Sequence, residues 1–251
     1  MRANSRGIPT STASTSSPAI GGELDNYRGS AVFARVPAYQ CLLPGPVPGV
    51  FHGGGMPQRL LQVDRIGLSA WADLLTPENC QNLIAIGQSL LRPATVTDEQ
   101  TGQEVAHGER VSEMAWPKRD DYPILQSLAE GIAQLTGIPI DCQEPLQILH
   151  YRPGGEYKPH YDAFAADAPT LRQGGNRQIT LILYLNAVEE GGETAFPELG
   201  LQVSPIPGGG VFFRNLNEEG QRHPFSLHAG LPVRKGEKWI ATQWIRQEAY
   251  V

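Results

Sequence analysis

Two segments in the first half of the chain carry apolar residues at helical spacing. In residues 75–91, LTPENCQNLIAIGQSLL, Thr76 is a suitable N-cap and Pro77 a suitable first helical residue. Residues 123–139, PILQSLAEGIAQLTGIP, form a second amphipathic segment, and Gly137 suits its C-terminal end. The pattern predicts two amphipathic helices that each bury one face.

The pattern changes after residue 145 to short apolar or alternating runs separated by glycine and proline. Four such runs are PLQILHY, RQITLILYLN, GGVFFRN and KWIATQWI, and each has the length and composition of a β-strand. Helices first and many short strands later predict an α+β fold in which a β-sandwich or barrel carries the chemistry.

The N-terminal part of the chain differs in composition from the rest. Residues 1–22 are rich in Ser, Thr, Gly and Pro, which predicts a flexible tail, and residues 23–57 resemble an irregular arm. We therefore expect 1–57 to be a tail and arm of unknown role and 58–251 to be one domain. Two polar segments, 95–109 and 164–178, are candidate lids.

Composition limits the possible partners. The net charge is -6 and the pI about 5.5, with no basic stripe, so we expect no nucleic-acid partner. No signal peptide and no run of 18 apolar residues is found, which predicts no membrane partner. The three cysteines form no CxxC pair, and an odd, sparse set favours a reducing compartment. We expect a soluble, cytoplasmic protein.

The segment HYRPGGEYKPHYDAF, residues 150–164, contains the first candidate for metal chemistry. His160 and Asp162 would lie on one face if this stretch is a strand. Two histidines and one carboxylate on one face of an octahedron bind non-heme Fe(II) and leave three positions open. A metal site of this kind needs a third ligand, and the candidates are His52, His107, His150, His223 and His228.

Several motifs occur in an order that resembles one family. They are EPLQILHYRPGGEYKPHYDAF, RQITLILYLNAVEEGGETAFPE and HAGLPVRKGEKWIATQWI, preceded by LTPENCQNLI and GERVSEMAW. This series resembles the prolyl 4-hydroxylase group of Fe(II)/2-oxoglutarate-dependent dioxygenases, and the likeness covers about three quarters of the chain, residues 58–246. The resemblance implies a double-stranded β-helix (jelly-roll) core at about 145–246, supported by N-terminal helices.

The resemblance also implies the metal ligands. They would be His160, Asp162 and His228, which precedes the family's AGxPVxxGxKW pattern. His223 lies in a polar loop without that pattern, so we interpret it as a loop residue. His150 neighbours Tyr151 and should point to the opposite strand face.

The same resemblance implies a 2-oxoglutarate pocket. Lys238 would pair with the C5 carboxylate of the co-substrate, because a buried cation at the end of a pocket needs an anionic partner. Tyr151, Thr180 and Tyr184 would line this pocket with hydroxyl groups, although each of them could serve packing alone. The GGET turn, 191–194, is expected to be structural and to need positive φ.

Substrate contacts are implied by family positions around the groove. These positions are Tyr157, Arg177, Trp244 and Arg110. Both arginines could instead form ordinary salt bridges, and Trp244 could be a core residue.

The implied activity is hydroxylation of an unactivated C–H bond, with oxidative decarboxylation of 2-oxoglutarate to succinate and CO2 and with dependence on L-ascorbate. Peptidyl proline is the expected substrate, and the alternatives are a free amino acid or small metabolite, or a non-catalytic peptide-binding module on the same fold. A zinc hydrolase is a further alternative, since zinc accepts the same ligands, but it leaves Lys238 unexplained. The sequence does not select an oligomeric state.

Overall fold

The computed structural model describes residues 57–97, 104–105 and 111–251. The predicted tail and arm, apart from Pro57, lie outside this range, and so do Arg110 and most of the candidate lid at 95–109.

The described chain contains two α-helices and sixteen short strands. The helices are α1 (Pro77–Leu90) and α2 (Pro123–Thr136). The strands before and between them are β1 (Gln58–Val63), β2 (Leu68–Ala72), β3 (Arg92–Pro93), β4 (Val96–Thr97), β5 (Glu104–Val105) and β6 (Glu113–Ala115). The later strands are β7 (Gln147–Tyr151), β8 (Tyr157–His160), β9 (Arg177–Tyr184), β10 (Glu190–Gly191), β11 (Thr194–Phe196), β12 (Leu201–Val203), β13 (Gly210–Arg214), β14 (His228–Gly230), β15 (Val233–Lys235) and β16 (Lys238–Arg246).

Two antiparallel sheets form a sandwich. The larger has the order β1-β2-β13-β9-β16-β7-β6-β3 and the smaller the order β12-β11-β14-β8, with β10-β15 and β4-β5 as separate pairs. Side chains of the larger sheet, such as Tyr151, Ile182 and Phe213, belong to the same apolar cluster as Phe196 of the smaller sheet. This arrangement confirms the predicted α+β class and the jelly-roll core.

Helix α1 begins where its sequence predicts. The side chain of Thr76 accepts a hydrogen bond of 3.0 Å from the backbone N–H of Asn79, and Pro77 is the first helical residue. A Cβ atom at Gly87 would lie 2.7 Å from Cγ2 of Ile148 on β7. The absence of a side chain at Gly87 therefore lets α1 approach the larger sheet closely.

Helix α2 buries Leu125, Leu128 and Ile132 against the same sheet face and ends at Gly137, whose φ is 70°. Both helices thus cover the outer face of the larger sheet, and the inner face is left for the sandwich interior. Neither of these helices, the two found in the described part of the chain, is long and apolar enough to cross a membrane.

Candidate active site

Two histidines face each other across neighbouring strands of the smaller sheet. His160 is the last residue of β8, His228 is the first residue of β14, and the two are register partners. Asp162 follows in the loop after β8, so the expected shared strand face for His160 and Asp162 does not describe the site. The loop nevertheless returns the carboxylate to the histidines, and one ligand atom from each residue lies within 4.8 Å of the others.

The hydrogen bonds of the two imidazoles leave their Nε2 atoms available to a metal. Nδ1 of His160 lies 2.8 Å from the backbone carbonyl of Lys158, and Nδ1 of His228 lies 3.0 Å from that of Ser226. A carbonyl only accepts, so each Nδ1 carries the proton and each Nε2 presents a lone pair. Nε2 of His160 lies 3.6 Å from Oδ1 of Asp162 and Nε2 of His228 lies 3.6 Å from Oδ2, which leaves room for an ion between the three side chains. The donor set fits Fe(II).

Asp162 is ionised and hydrogen-bonded. Burial opposes its charge, but the positive charge of His228 and His160 when they are protonated in the metal-free site, together with Arg177 and a hydrogen bond from Thr180, outweighs that effect and lowers the pKa of Asp162 to about 2. The Thr180 hydroxyl donates to Oδ2 over 2.6 Å. Thr180, expected in the 2-oxoglutarate pocket, therefore contacts a candidate metal ligand directly.

The other two described histidines lie away from this cluster. His223 precedes the turn at Pro224–Ser226, and its Nδ1 accepts a hydrogen bond of 3.2 Å from the N–H of Phe225. His150 lies between Glu113, at 2.9 Å, and Glu237, at 2.7 Å, and stacks on Trp239 of the helix-covered face.

Lys238, the first residue of β16, is buried in the sandwich interior and 3% exposed. Its Nζ lies 5.6 Å from the ring centre of Tyr151 and 5.9 Å from that of Tyr184. Within the described residues no carboxylate reaches ion-pair distance, and Glu193 acts on it only at longer range. Burial, partly offset by Glu193, lowers the pKa of Lys238 to about 8. A buried ammonium without a partner fits the carboxylate of a bound dicarboxylic acid.

The GGET turn forms part of this pocket. Gly191 and Gly192 have φ of 81° and 72°, as the sequence predicts. A Cβ atom at Gly192 would lie 3.3 Å from Cδ of Lys238. The hydroxyl of Tyr184 donates to Thr194 over 2.8 Å, which fixes the phenol beside Lys238.

A cleft of about 720 Å3 leads from the surface to Asp162. Tyr157, Trp116 and Trp244 line it with aromatic rings. The Tyr157 ring stacks on His160 with centroids 3.5 Å apart, and Trp116 and Trp244 pack at 6.0 Å. The structure thus brings Tyr157 and Trp244 into one cleft with the candidate metal ligand Asp162, and Arg177 also lines its wall.

The guanidinium of Arg177 is paired with the buried carboxylate of Glu144. Arg177 forms two hydrogen bonds with Glu144, of 2.7 and 2.8 Å, and its guanidinium lies 3.7 Å from the ring centre of Trp244. Arg246 donates to the same carboxylate and to the backbone carbonyls of Thr170 and Gly175. These bonds tie the candidate lid at 164–178 to the end of β16.

Sequence reasoning missed two buried polar residues of the site. Glu144 lies before the first core strand in QEPLQ, and no spacing rule connects it to Arg177 or Arg246. Asn215 had a usable signal, because it continues the inward alternation of Val211 and Phe213 and so places an amide at a core position.

Fold and site together define an Fe(II)- and 2-oxoglutarate-dependent oxygenase. Residues 146–246 match the family model described as the 2OG-Fe(II) oxygenase superfamily. These residues run from just before β7 to the end of β16 and include all three candidate metal ligands and Lys238.

Comparison with known proteins identifies the relatives of this chain within that superfamily. Prolyl 4-hydroxylase 1 of Arabidopsis thaliana is 38% identical over 192 residues, which cover 70% of this chain and 68% of that protein. The viral collagen prolyl hydroxylase of Paramecium bursaria Chlorella virus-1, solved as a 2OG complex, is 30% identical with a TM-score of 0.58, covering 71% of this chain and 95% of that one. A Pseudomonas putida prolyl-4-hydroxylase shares the fold at 22% identity, with a TM-score of 0.52 and coverage of 72% and 93%. The chain belongs to the prolyl 4-hydroxylase family.

Proposed function

We propose that this protein hydroxylates proline residues in a peptide or protein segment and converts 2-oxoglutarate and O2 to succinate and CO2. The observation that carries the proposal is the aromatic cleft, which reaches the carboxylate of the His160, Asp162 and His228 cluster. Aromatic-lined grooves that are open to the surface commonly bind extended, proline-rich segments.

In this proposal the two Nε2 atoms and Asp162 hold Fe(II) and leave three positions for the co-substrates. Bound iron with O2 and 2-oxoglutarate supplies the oxidising chemistry, and L-ascorbate keeps the metal ferrous between turnovers. Lys238 binds the far carboxylate of 2-oxoglutarate, and its burial makes that ion pair strong. Tyr151 and Tyr184 enclose the ligand, and Thr180 acts at the metal end.

The cleft walls suit a proline-rich chain. Polyproline II segments dock in aromatic-lined grooves, because the preformed helix loses little entropy and its rings pack on flat side chains. Tyr157 and Trp244 would supply such surfaces next to the metal. The planar guanidinium of Arg177, which is hydrogen-bonded to Glu144 and lies over the Trp244 ring, would form a further flat surface of the cleft.

The test is a turnover assay with the full chain, Fe(II), 2-oxoglutarate and ascorbate. A proline-rich peptide and free proline are compared, and both succinate release and the addition of one oxygen atom to the substrate are measured. We expect both products with the peptide only. Asp162→Ala and replacement of Fe(II) by Zn(II) serve as controls and should give neither.

Other results would identify the alternatives. Oxygen incorporation into free amino acids but not peptides would favour a metabolite hydroxylase. Peptide binding without succinate release for any substrate would favour a non-catalytic binding module and refute the proposed activity.

A cytoplasmic location is also proposed, and the thiols support it. Cys80 and Cys142 are buried and unpaired, and burial raises the pKa of both. A fluorescent fusion to either end of the chain would test this location by microscopy.

A further inference from the structure

A chain of buried hydrogen bonds ends on the candidate metal ligand Asp162. The Asn215 Nδ2 group donates to the Thr180 hydroxyl oxygen over 2.7 Å, and the Thr180 hydroxyl donates to Asp162 Oδ2 over 2.6 Å. Both Thr180 and Asn215 are 0% exposed. Solvent therefore has no access to the two residues behind the carboxylate.

The direction of these bonds follows from the chemistry of the groups. An ionised carboxylate only accepts, so the single hydroxyl proton of Thr180 is directed at Asp162. The hydroxyl oxygen must then accept, and the amide of Asn215 must present its NH2 group. This orientation leaves Asn215 Oδ1 buried and without a hydrogen-bond partner among the residues that the structure describes.

An unpaired buried acceptor lowers stability, and such a group in a folded protein needs an explanation. An apolar residue of similar size at position 215 would avoid this loss of stability. The lower stability caused by the unpaired Oδ1 of Asn215 is explained if the amide group of Asn215 serves to orient the hydroxyl of Thr180.

The backbone holds both residues in place. Phe213 of β13 is the register partner of Thr180 on β9, and Asn215 follows directly after β13. The N–H of Asn215 donates to the carbonyl of Gln178 over 2.9 Å, and its carbonyl accepts from His223 over 2.8 Å. The amide is thus fixed relative to the hydroxyl that it orients.

We propose that Asn215 and Thr180 act in series as positioning residues for the metal site. The Thr180 hydroxyl holds Oδ2 of Asp162, the oxygen that lies 3.6 Å from Nε2 of His228, and so orients the carboxylate toward the ion. Asn215 acts only through Thr180. The inference rests on the proposed iron site, and it assigns to Thr180 a role toward the metal ligand.

The test measures the affinity of the full chain for Mn(II), used as the metal alone, by calorimetry and by the EPR signal of the bound ion. Loss of an outer hydrogen-bond partner typically weakens metal binding 10- to 100-fold. We expect a loss of about 10-fold or more for Thr180→Val and for Asn215→Leu. Thr180→Ser restores the hydroxyl and should bind within about 3-fold of the wild type, since the same bond can form.

The double variant separates action in series from general damage. Once Thr180→Val has removed the hydroxyl, adding Asn215→Leu should weaken Mn(II) binding no further. Ser69→Ala is a matched control, because it removes a buried hydroxyl that accepts from Trp71 over 2.8 Å on β2. That control should lower the melting temperature and leave Mn(II) affinity unchanged.

Each result decides a separate point. Wild-type affinity in Thr180→Val, or additive losses in the double variant, overturns the series arrangement and leaves the proposed function intact. A wild-type chain that binds no Mn(II) refutes the metal site and this inference with it. Melting of the metal-free variants checks folding, and if Thr180→Val does not fold, Thr180→Ala and Asn215→Leu carry the same comparison.

Discussion

Replacing Lys238 by methionine should make the ligand-free protein more stable and abolish its response to 2-oxoglutarate. Lys238 is buried, and its pKa falls from 10.5 to about 8. At ~1.4 kcal/mol for each pH unit, this fall corresponds to about 3 kcal/mol of destabilisation by the buried charge. Methionine has a similar length without the charge. Loss of the cation–π contacts to Tyr151 and Tyr184 offsets about 1 kcal/mol, so the net gain should be about 2 kcal/mol.

Thermal and urea unfolding of the ligand-free wild type and Lys238→Met would measure this gain. For a chain of this size, ~2 kcal/mol corresponds to a rise of roughly 4–8 °C in melting temperature. At 100 times its dissociation constant, 2-oxoglutarate should stabilise the metal-loaded wild type by about 2.7 kcal/mol. The same concentration should leave the variant unchanged.

The pH dependence gives an independent check. Because the folded pKa of Lys238 is lowered, the unfolded chain binds more protons between about pH 8 and 10.5. The stability difference between wild type and Lys238→Met should therefore be full below pH 8 and shrink as pH rises through this window. A destabilised variant that still responds to 2-oxoglutarate would refute the reasoning.

Three further predictions follow from the geometry. Glu144→Gln leaves the buried guanidinium of Arg246 and the partly buried one of Arg177 without their carboxylate, and should cost about 3–5 kcal/mol in urea unfolding. Glu190→Gln, at an exposed ion pair, should cost less than ~1 kcal/mol, and equal losses would contradict this. Gly191→Ala forces φ of 81° on a residue with a side chain and points its Cβ at a backbone carbonyl, so 2-oxoglutarate KM should rise and stability fall by about 1–3 kcal/mol. His228→Ala should abolish Mn(II) binding detected by EPR while His223→Ala retains it, and the reverse result would reassign the distal ligand.

Local signals were sufficient for the helices and for the general chemistry. Thr76 and Gly137 mark helix ends through backbone geometry that depends on a few neighbouring residues. The glycines of GGET adopt positive φ for the same local reason. The motif order around His160, Asp162, His228 and Lys238 indicated the family, because metal and co-substrate binding need those residue types.

The alternation of apolar residues assigned faces correctly where a strand was continuous. His150 and Tyr151 do point to opposite sides of β7, and one packs under the helices while the other enters the sandwich interior. The same rule does not apply to Asp162, because β8 ends at His160 and the loop, which has no fixed period, places the carboxylate.

The sequence by itself determined the two helices, the four strands β7, β9, β13 and β16, the family and the residue types of the site. Tertiary structure alone decided that Thr180 donates to Asp162, that Asn215 orients Thr180, and that Arg177 is held by Glu144. These partners are 18, 35 and 33 residues apart. Their contacts depend on strand order and register in the larger sheet and on the packing of the loop after β8 against it, which arise from the whole domain and leave no local mark in the sequence.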